Sequence, residues 1–270
     1  MTTIETNTTT STTPLKSPTL HITGSGQPFI WLHGMLNSVE ADSLYSLIDF
    51  KKLSELVTLV QYDYRDKAAD GDYSWPALCD ELSGVADSLN QEQLLLGGLS
   101  MGAGTILHFA TRYPQRVKAM ILLTPPPAWE MRTQTKSVYR KIVAKTNSHS
   151  VPEILKRIIQ WSQDPPDFFE AKHPGTRQRL QQIRLNFEPQ YYSSIYSGGA
   201  NSDFPSREQI EKINVPTLIV TIPDDQNHPT EMAHIIHHLI KGSELAIVSE
   251  YNDIELLQKK IREFISGIKL

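Results

Sequence analysis

The chain has 270 residues, with 26 Lys and Arg against 30 Asp and Glu, a net charge of −4 and a single cysteine. One cysteine excludes an intramolecular disulfide framework and any multi-cysteine metal site. The near-balanced charge gives no electrostatic footprint for nucleic acid, and no apolar run approaches the ~20 residues that span a bilayer. Composition therefore predicts a soluble, cytoplasmic globular protein without nucleic-acid or membrane partners; it leaves the oligomeric state open.

The first 18 residues are dominated by Thr, with Ser, Asn and Pro, and contain almost no apolar side chains. Such a segment cannot offset the entropy of its ordering by burial, so we predict that residues 1–18 are disordered. The segment has neither the basic start nor the apolar stretch of a secretory signal. We therefore expect no secretory signal here.

After this segment, short apolar runs alternate with longer amphipathic ones. The runs are continuous and about five residues long, which is typical of parallel strands covered on both faces. Strands alternating with helices predict an α/β parallel sheet with right-handed crossovers. The predicted strands are residues 28–32, 57–62, 93–97, 119–123, 217–221 and 244–248, and the predicted helices are 74–90, 103–113 and 230–240.

Residues 125–213 break this rhythm, because they contain no convincing strand. Helical stretches at 136–145, 151–161 and 176–185 are punctuated by Pro and Gly pairs, the last of them Gly198-Gly199. We predict a helical insertion between two strands, with residues 19–124 and 214–270 forming the core. Aromatic side chains of the insertion, Tyr139 among them, are expected partly to pack with one another and partly to line an apolar pocket.

The sharpest local motif is Gly98-Leu99-Ser100-Met101-Gly102, which follows a predicted strand and leads into a predicted helix. A serine on a tight strand-to-helix turn has strained backbone geometry, and small residues two before and two after it relieve the crowding. The helix amino terminus beside Ser100 would favour a developing oxyanion. The motif indicates a nucleophilic serine; the alternative is a glycine-rich turn that only packs helix on strand.

These features resemble the α/β-hydrolase superfamily over most of residues 20–268. The resemblance implies a mostly parallel central sheet flanked by helices, with residues 125–213 as a helical lid. His33-Gly34-Met35 is similar to the family's oxyanion motif, which implies that the backbone N–H groups of Met35 and Met101 form an oxyanion hole. The side chain of His33 is expected to brace its own loop.

The acid and the base follow from the same resemblance. Asp225, four residues before Pro229, is similar to the family's acid, and the neighbouring Asp224 is an alternative. The family's catalytic histidine follows the last strand, but no histidine occurs after His238 here. His228 on the acid loop is therefore a candidate base; alternatively, it only starts the next helix or faces solvent.

Two functions remain open on these grounds. The first is an enzyme that acts on an ester, thioester or related acyl substrate through Ser100, His228 and Asp225. The second is a divergent relative that has lost hydrolysis and binds a small molecule or partner, or catalyses a non-hydrolytic reaction. We expect an apolar or acyl small-molecule ligand. No cofactor is implied, since the suggested chemistry uses only side chains and backbone, and no metal is expected, since the histidines of residues 230–240 are predicted on a solvated helix face.

Overall fold

The computed structural model describes residues 18–64, 71–146, 153–160 and 162–268. The segment predicted to be disordered lies outside the described residues except for residue 18. Within the described ranges, the strands are β1 His21–Gly24, β2 Pro28–Leu32, β3 Thr58–Gln61, β4 Leu94–Leu99, β5 Val117–Leu123, β6 Thr217–Thr221 and β7 Glu244–Ile247.

These strands form one sheet in the order β1-β3-β2-β4-β5-β6-β7. Strand β1 pairs antiparallel with β3, and every other pairing is parallel. The predicted fold class, a mostly parallel sheet flanked by helices, is confirmed. All six predicted strands are present, with bounds that differ by two residues at most.

Helices alternate with these strands along the chain. The described helices are α1 Val39–Leu44, α2 Phe50–Ser54, α3 Trp75–Ser88, α4 Met101–Arg112, α5 Thr133–Lys145, α6 Glu153–Gln160, α7 Asp167–Glu170, α8 Thr176–Leu185, α9 Pro189–Asn201, α10 Arg207–Ile210, α11 Thr230–Leu239 and α12 Tyr251–Gly267. Among these described helices, none combines the length and the apolar character needed to cross a membrane.

Continuous apolar strands arise here because both faces of the sheet are covered. Along β4, Leu94 and Leu96 pack into a core with residues of α3, α4 and α11, whereas Leu95 packs into a second core with residues of α12. Strand β5 divides in the same way, with Leu122 in the first core and Ile121 in the second. Alternate side chains of one strand point to opposite faces, so both sets are apolar.

The residues described between β5 and β6 form helices α5 to α10 and no strand. One expectation about this segment was wrong: Gly198-Gly199 lies inside α9 rather than between helices. A Cβ at Gly198 would lie 2.3 Å from the carbonyl carbon of Tyr73, and one at Gly199 would lie 2.9 Å from the ring of Tyr139. Close packing of α9, rather than a chain break, requires these glycines.

Candidate active site

Ser100 is the single residue between strand β4 and helix α4. Its backbone has φ 52° and ψ −105°, a conformation that residues other than glycine rarely adopt. The Ser100 N–H donates to the carbonyl oxygen of Leu123 at 2.9 Å, which ties the turn to the end of β5. The strained turn leaves Ser100 partly exposed at the carboxyl edge of the sheet.

The glycines of the motif make this turn possible. A Cβ at Gly98 would lie 2.6 Å from the carbonyl carbon of Gly102, and a Cβ at Gly102 would lie 2.2 Å from the carbonyl oxygen of Leu32. Both distances are far below van der Waals contact, and both involve backbone atoms that cannot move aside. Helix α4 can therefore begin directly against the strands only with glycine at these two positions.

A compact turn after β6 orients the side chains of Asp225 and His228. Asp225 Oδ1 accepts hydrogen bonds from the backbone N–H groups of Asn227 at 2.9 Å and His228 at 3.2 Å. The chain therefore folds back within three residues, and His228 Nδ1 lies 2.7 Å from Asp225 Oδ2. Asp224, the alternative candidate for the acid, is not supported, because it is exposed to solvent while Asp225 pairs with the imidazole of His228.

The other ring nitrogen of His228 faces the serine. His228 Nε2 lies 2.8 Å from Ser100 Oγ. Since a carboxylate only accepts, Nδ1 carries the proton toward Asp225, and Nε2 of the neutral ring accepts from the Ser100 hydroxyl. Strands β4 and β6 flank β5, so the loops after them meet at one edge of the sheet. The structure thus joins Ser100, His228 and Asp225 in one hydrogen-bonded chain.

The residues after the last strand take no part in the hydrogen bonds that join Ser100, His228 and Asp225. Tyr251 begins α12 there, and its hydroxyl lies 2.8 Å from Nε2 of His173 in an exposed pair. The ring of Phe169 packs against His173 with 4.6 Å between ring centroids. Helix α7 and the segment that follows it therefore contact the start of α12. The catalytic histidine of the family would lie in this region after the last strand.

The charge of Asp225 suits its position beside an imidazole. Burial opposes its ionisation, but the hydrogen bonds from the His228 ring and from the N–H groups of Asn227 and His228, together with attraction to the imidazolium when His228 is protonated, outweigh burial. They lower the pKa of Asp225 below its ordinary value. Asp225 is therefore a carboxylate at neutral pH. An ionised carboxylate in this place holds the ring orientation of His228 and stabilises an imidazolium when one forms.

Ser100 opens into a small cavity of about 20 Å³ that is partly open to solvent. Met35 and Met101 line the same cavity. Met101 is the first residue of α4, so its N–H has no partner within the helix. The cavity's remaining lining comes from the core and from the segment between β5 and β6: Tyr73, Trp75, Pro126, Arg132, Tyr139, Gly199 and Ser202.

Hydrogen bonds from side chains hold the backbone near Met101 and near Met35. Trp75 Nε1 donates to the carbonyl oxygen of Met101 at 2.8 Å, and the Thr105 hydroxyl donates to the same oxygen at 3.0 Å. In the loop that contains Met35, His33 is buried, and its Nδ1 donates to the carbonyl oxygen of Gly34 at 2.8 Å. His33 therefore braces its own loop, as expected.

Sequence reasoning missed Trp75 and Arg132 as residues of the site. Trp75 precedes a proline at the start of a helix, and Arg132 lies in a 3₁₀ turn, so neither has a motif around it. Their role depends on contacts with residues that are distant in sequence.

Among the histidines of α11, His234 and His238 are exposed, and in the described part of the chain no three potential ligands form a metal-binding group.

Comparison with known proteins gives one family. A family model described as "alpha/beta hydrolase fold" matches residues 59–254. The chain is 30% identical over 231 residues to the AB hydrolase superfamily protein YisY of Bacillus subtilis, covering 82% of this chain and 83% of that protein.

Solved structures agree at the level of the fold. A thermophilic esterase from Thermogutta terrifontis superposes with a TM-score of 0.78 at 20% identity, covering 94% of each chain. The enol-lactonase from Burkholderia xenovorans superposes with a TM-score of 0.76 at 15% identity, covering 93% of this chain and 96% of that one. The mostly parallel sheet with its flanking helices is shared with these enzymes.

Proposed function

Because this chain belongs to the α/β-hydrolase family, we propose that it is a serine hydrolase that cleaves an ester, thioester or related acyl substrate. The observation that carries the proposal is the hydrogen-bonded chain from Ser100 Oγ through His228 to Asp225, with distances of 2.8 and 2.7 Å. The alternative of a relative that has lost hydrolysis rested on the missing histidine after the last strand. A histidine on the acid loop within reach of Ser100 removes that reason.

The first half of the reaction forms an acyl-enzyme. Ser100 Oγ attacks the substrate carbonyl carbon while its proton passes to His228 Nε2. The carbonyl oxygen becomes an oxyanion, to which the backbone N–H groups of Met35 and Met101 donate. The carbon–oxygen or carbon–sulfur bond of the tetrahedral intermediate then breaks, and the leaving alcohol or thiol takes the proton from His228 Nε2.

The second half returns the enzyme to its starting state. A water molecule gives a proton to His228 Nε2 as its oxygen attacks the acyl carbon. The bond between that carbon and Ser100 Oγ breaks, Ser100 recovers the proton, and a carboxylic acid is released. Asp225 remains ionised throughout and stabilises the imidazolium in both halves.

Two further observations support this proposal. The solved structures with the same fold include proteins whose names, esterase and enol-lactonase, indicate cleavage of acyl–oxygen bonds. Pro126, Arg132, Tyr139, Gly199 and Ser202 lie between β5 and β6 and line the cavity beside Ser100. We therefore propose that residues 125–213 act as a lid that encloses an apolar or acyl substrate.

Turnover of short p-nitrophenyl esters tests the proposed serine and base. The Ser100→Ala and His228→Ala variants should each lose about 10⁴–10⁶-fold in kcat, because loss of either group removes the nucleophile or its activation. His234→Ala is the matched control, since His234 is an exposed histidine on the next helix. It should stay within about twofold of the wild type.

The proposal fails if Ser100→Ala hydrolyses these esters as fast as the wild type. It fails in its choice of base if His228→Ala behaves like the His234→Ala control. Thermal unfolding of each variant shows whether a lost activity reflects a lost fold.

A further inference from the structure

The cavity beside Ser100 contains a buried cation. Arg132 ends the 3₁₀ turn Trp129–Arg132, is only 3% exposed, and lines the same cavity as Ser100. Its guanidinium carbon lies 4.3 Å from the centroid of the Trp75 ring, so one face of the group is covered. An arginine in this position is unusual, because charged side chains are rarely buried without an opposite charge.

The hydrogen bonds of Arg132 use only part of its capacity. Nε, Nη1 and Nη2 each donate once, to the carbonyl oxygens of Ser202 at 3.1 Å, Pro127 at 3.0 Å and Gly199 at 2.8 Å. A guanidinium has five N–H groups, so within the described part of the chain one N–H on Nη1 and one on Nη2 have no acceptor. The three acceptors are neutral and leave the positive charge uncompensated.

Nearby carboxylates do not supply the missing charge. Among the described residues, no Asp or Glu oxygen lies within 4 Å of the Arg132 guanidinium. Asp203 already binds Lys136 Nζ at 2.7 Å and accepts from the Trp129 N–H at 2.8 Å. Burial lowers the pKa of Arg132, with Tyr139 and Asp203 opposing that effect only in part.

We propose that Arg132 binds a carboxylate of the substrate, so that the acyl compound cleaved at Ser100 is itself an anion. The available N–H groups on Nη1 and Nη2 are donors suited to carboxylate oxygens. Removed from water, the guanidinium and the carboxylate compensate each other's charge where neither would be stable alone. This inference rests on the proposed function, because it concerns the substrate of the same site.

Binding to the Ser100→Ala variant tests the inference without any need for turnover. Calorimetry compares monomethyl succinate, which carries its carboxylate in the acyl part, with neutral dimethyl succinate. A second pair, acetoxyacetate and its methyl ester, places the carboxylate in the leaving group. At least one anion should bind about 30-fold or more tighter than its neutral partner, and Arg132→Met should abolish that preference by weakening the binding of the anion by that factor more than the binding of the neutral ester.

Arg132→Lys separates charge recognition from bracing of the three carbonyls. It keeps the charge without the planar fork, so it should retain part of the preference for the anion, and it serves in place of Arg132→Met if that variant does not fold. The inference is overturned if neither anion is preferred, or if substitution weakens anion and neutral ester equally, which is the result of a purely structural role. Because binding is measured without Ser100, these outcomes are distinct from a failure of the proposed hydrolysis.

Discussion

His228 reaches Ser100 because its loop folds back on Asp225. Acid and base are only three positions apart, and an extended loop would carry the two side chains away from each other. The hydrogen bonds from the N–H groups of Asn227 and His228 to Asp225 Oδ1 close the turn instead. The same carboxylate then uses Oδ2 to fix the tautomer of His228. One side chain therefore shapes the loop and sets the proton position on the base.

Ser100, His228 and Asp225 each have an environment suited to the proposed role of that residue. Ser100 and His228 are partly exposed at the cavity, where a substrate could contact them. Asp225 is ionised, because its hydrogen bonds outweigh its burial. The backbone strain of Ser100 is tolerated because the surrounding packing leaves the turn no alternative conformation.

At the scale of elements, the meeting of β4, β2 and α4 determines where Ser100 lies. Gly98 and Gly102 contact each other across the turn, and Gly102 also contacts the end of β2. The amino terminus of α4 is therefore pressed against the carboxyl edge of the sheet. This contact positions both the Ser100 hydroxyl and the N–H of Met101.

A pair of glycine substitutions in neighbouring helices tests this packing. Gly102→Ala should lower the free energy of unfolding by about 1–3 kcal/mol and should reduce esterase activity, because its Cβ would overlap the Leu32 carbonyl oxygen. Gly84→Ala is the control. Gly84 lies exposed in α3, and outside its own helix backbone no atom of the described residues comes within 4 Å of the place that a Cβ would occupy. Alanine there should therefore raise the free energy of unfolding by at most about 1 kcal/mol. Urea unfolding measures both; equal stability of the two variants would refute the packing argument.

The elements that sequence patterns predicted are those whose patterns reflect burial. Six strands with continuous apolar runs were found where expected. Strand β1 was missed because all four of its residues are exposed and, among the described strands, it pairs with β3 alone. Helix α9 was obscured because Gly198-Gly199 has low helix propensity, yet tertiary contact with Tyr73 favours glycine there.

In the candidate site, too, the residues that were predicted are those with a recognisable local sequence pattern. Ser100 and Asp225 stood out because local motifs surround them. His228 remained one of two alternatives, because the turn that aims its ring depends on hydrogen bonds that no apolar pattern encodes. Arg132 and Trp75 escaped prediction altogether, since only the folding of distant segments around the cavity brings them to Ser100.

For the whole molecule, one buried acid couples stability to pH. Asp42 in α1 is 3% exposed, and burial raises its pKa to about 8, although hydrogen bonds from Trp31 and Asn37 act in the opposite direction. Trp31 Nε1 lies 2.6 Å from Asp42 Oδ2. The folded protein therefore holds a proton on Asp42 at neutral pH, which an unfolded chain with an ordinary carboxyl would release.

This coupling makes a pH prediction. Between about pH 4, near the ordinary pKa of an aspartate, and about pH 8, near the pKa of Asp42 in the folded protein, the folded state binds more protons than the unfolded chain. The contribution of Asp42 to the free energy of unfolding should therefore fall by about 1.4 kcal/mol per pH unit as pH rises. Asp42→Asn should remove this contribution. Urea unfolding from pH 5 to 9 checks this; equal slopes for variant and wild type would contradict it.

The central claim is that Ser100 is a nucleophile activated by His228, and the mass of the protein after reaction with a fluorophosphonate tests it most directly. We expect one phosphonyl adduct on Ser100 in the wild type and in His234→Ala, no adduct in Ser100→Ala, and labelling of His228→Ala slowed by about 10³-fold or more. An unlabelled wild type, or a His228→Ala variant labelled at the wild-type rate, would contradict it.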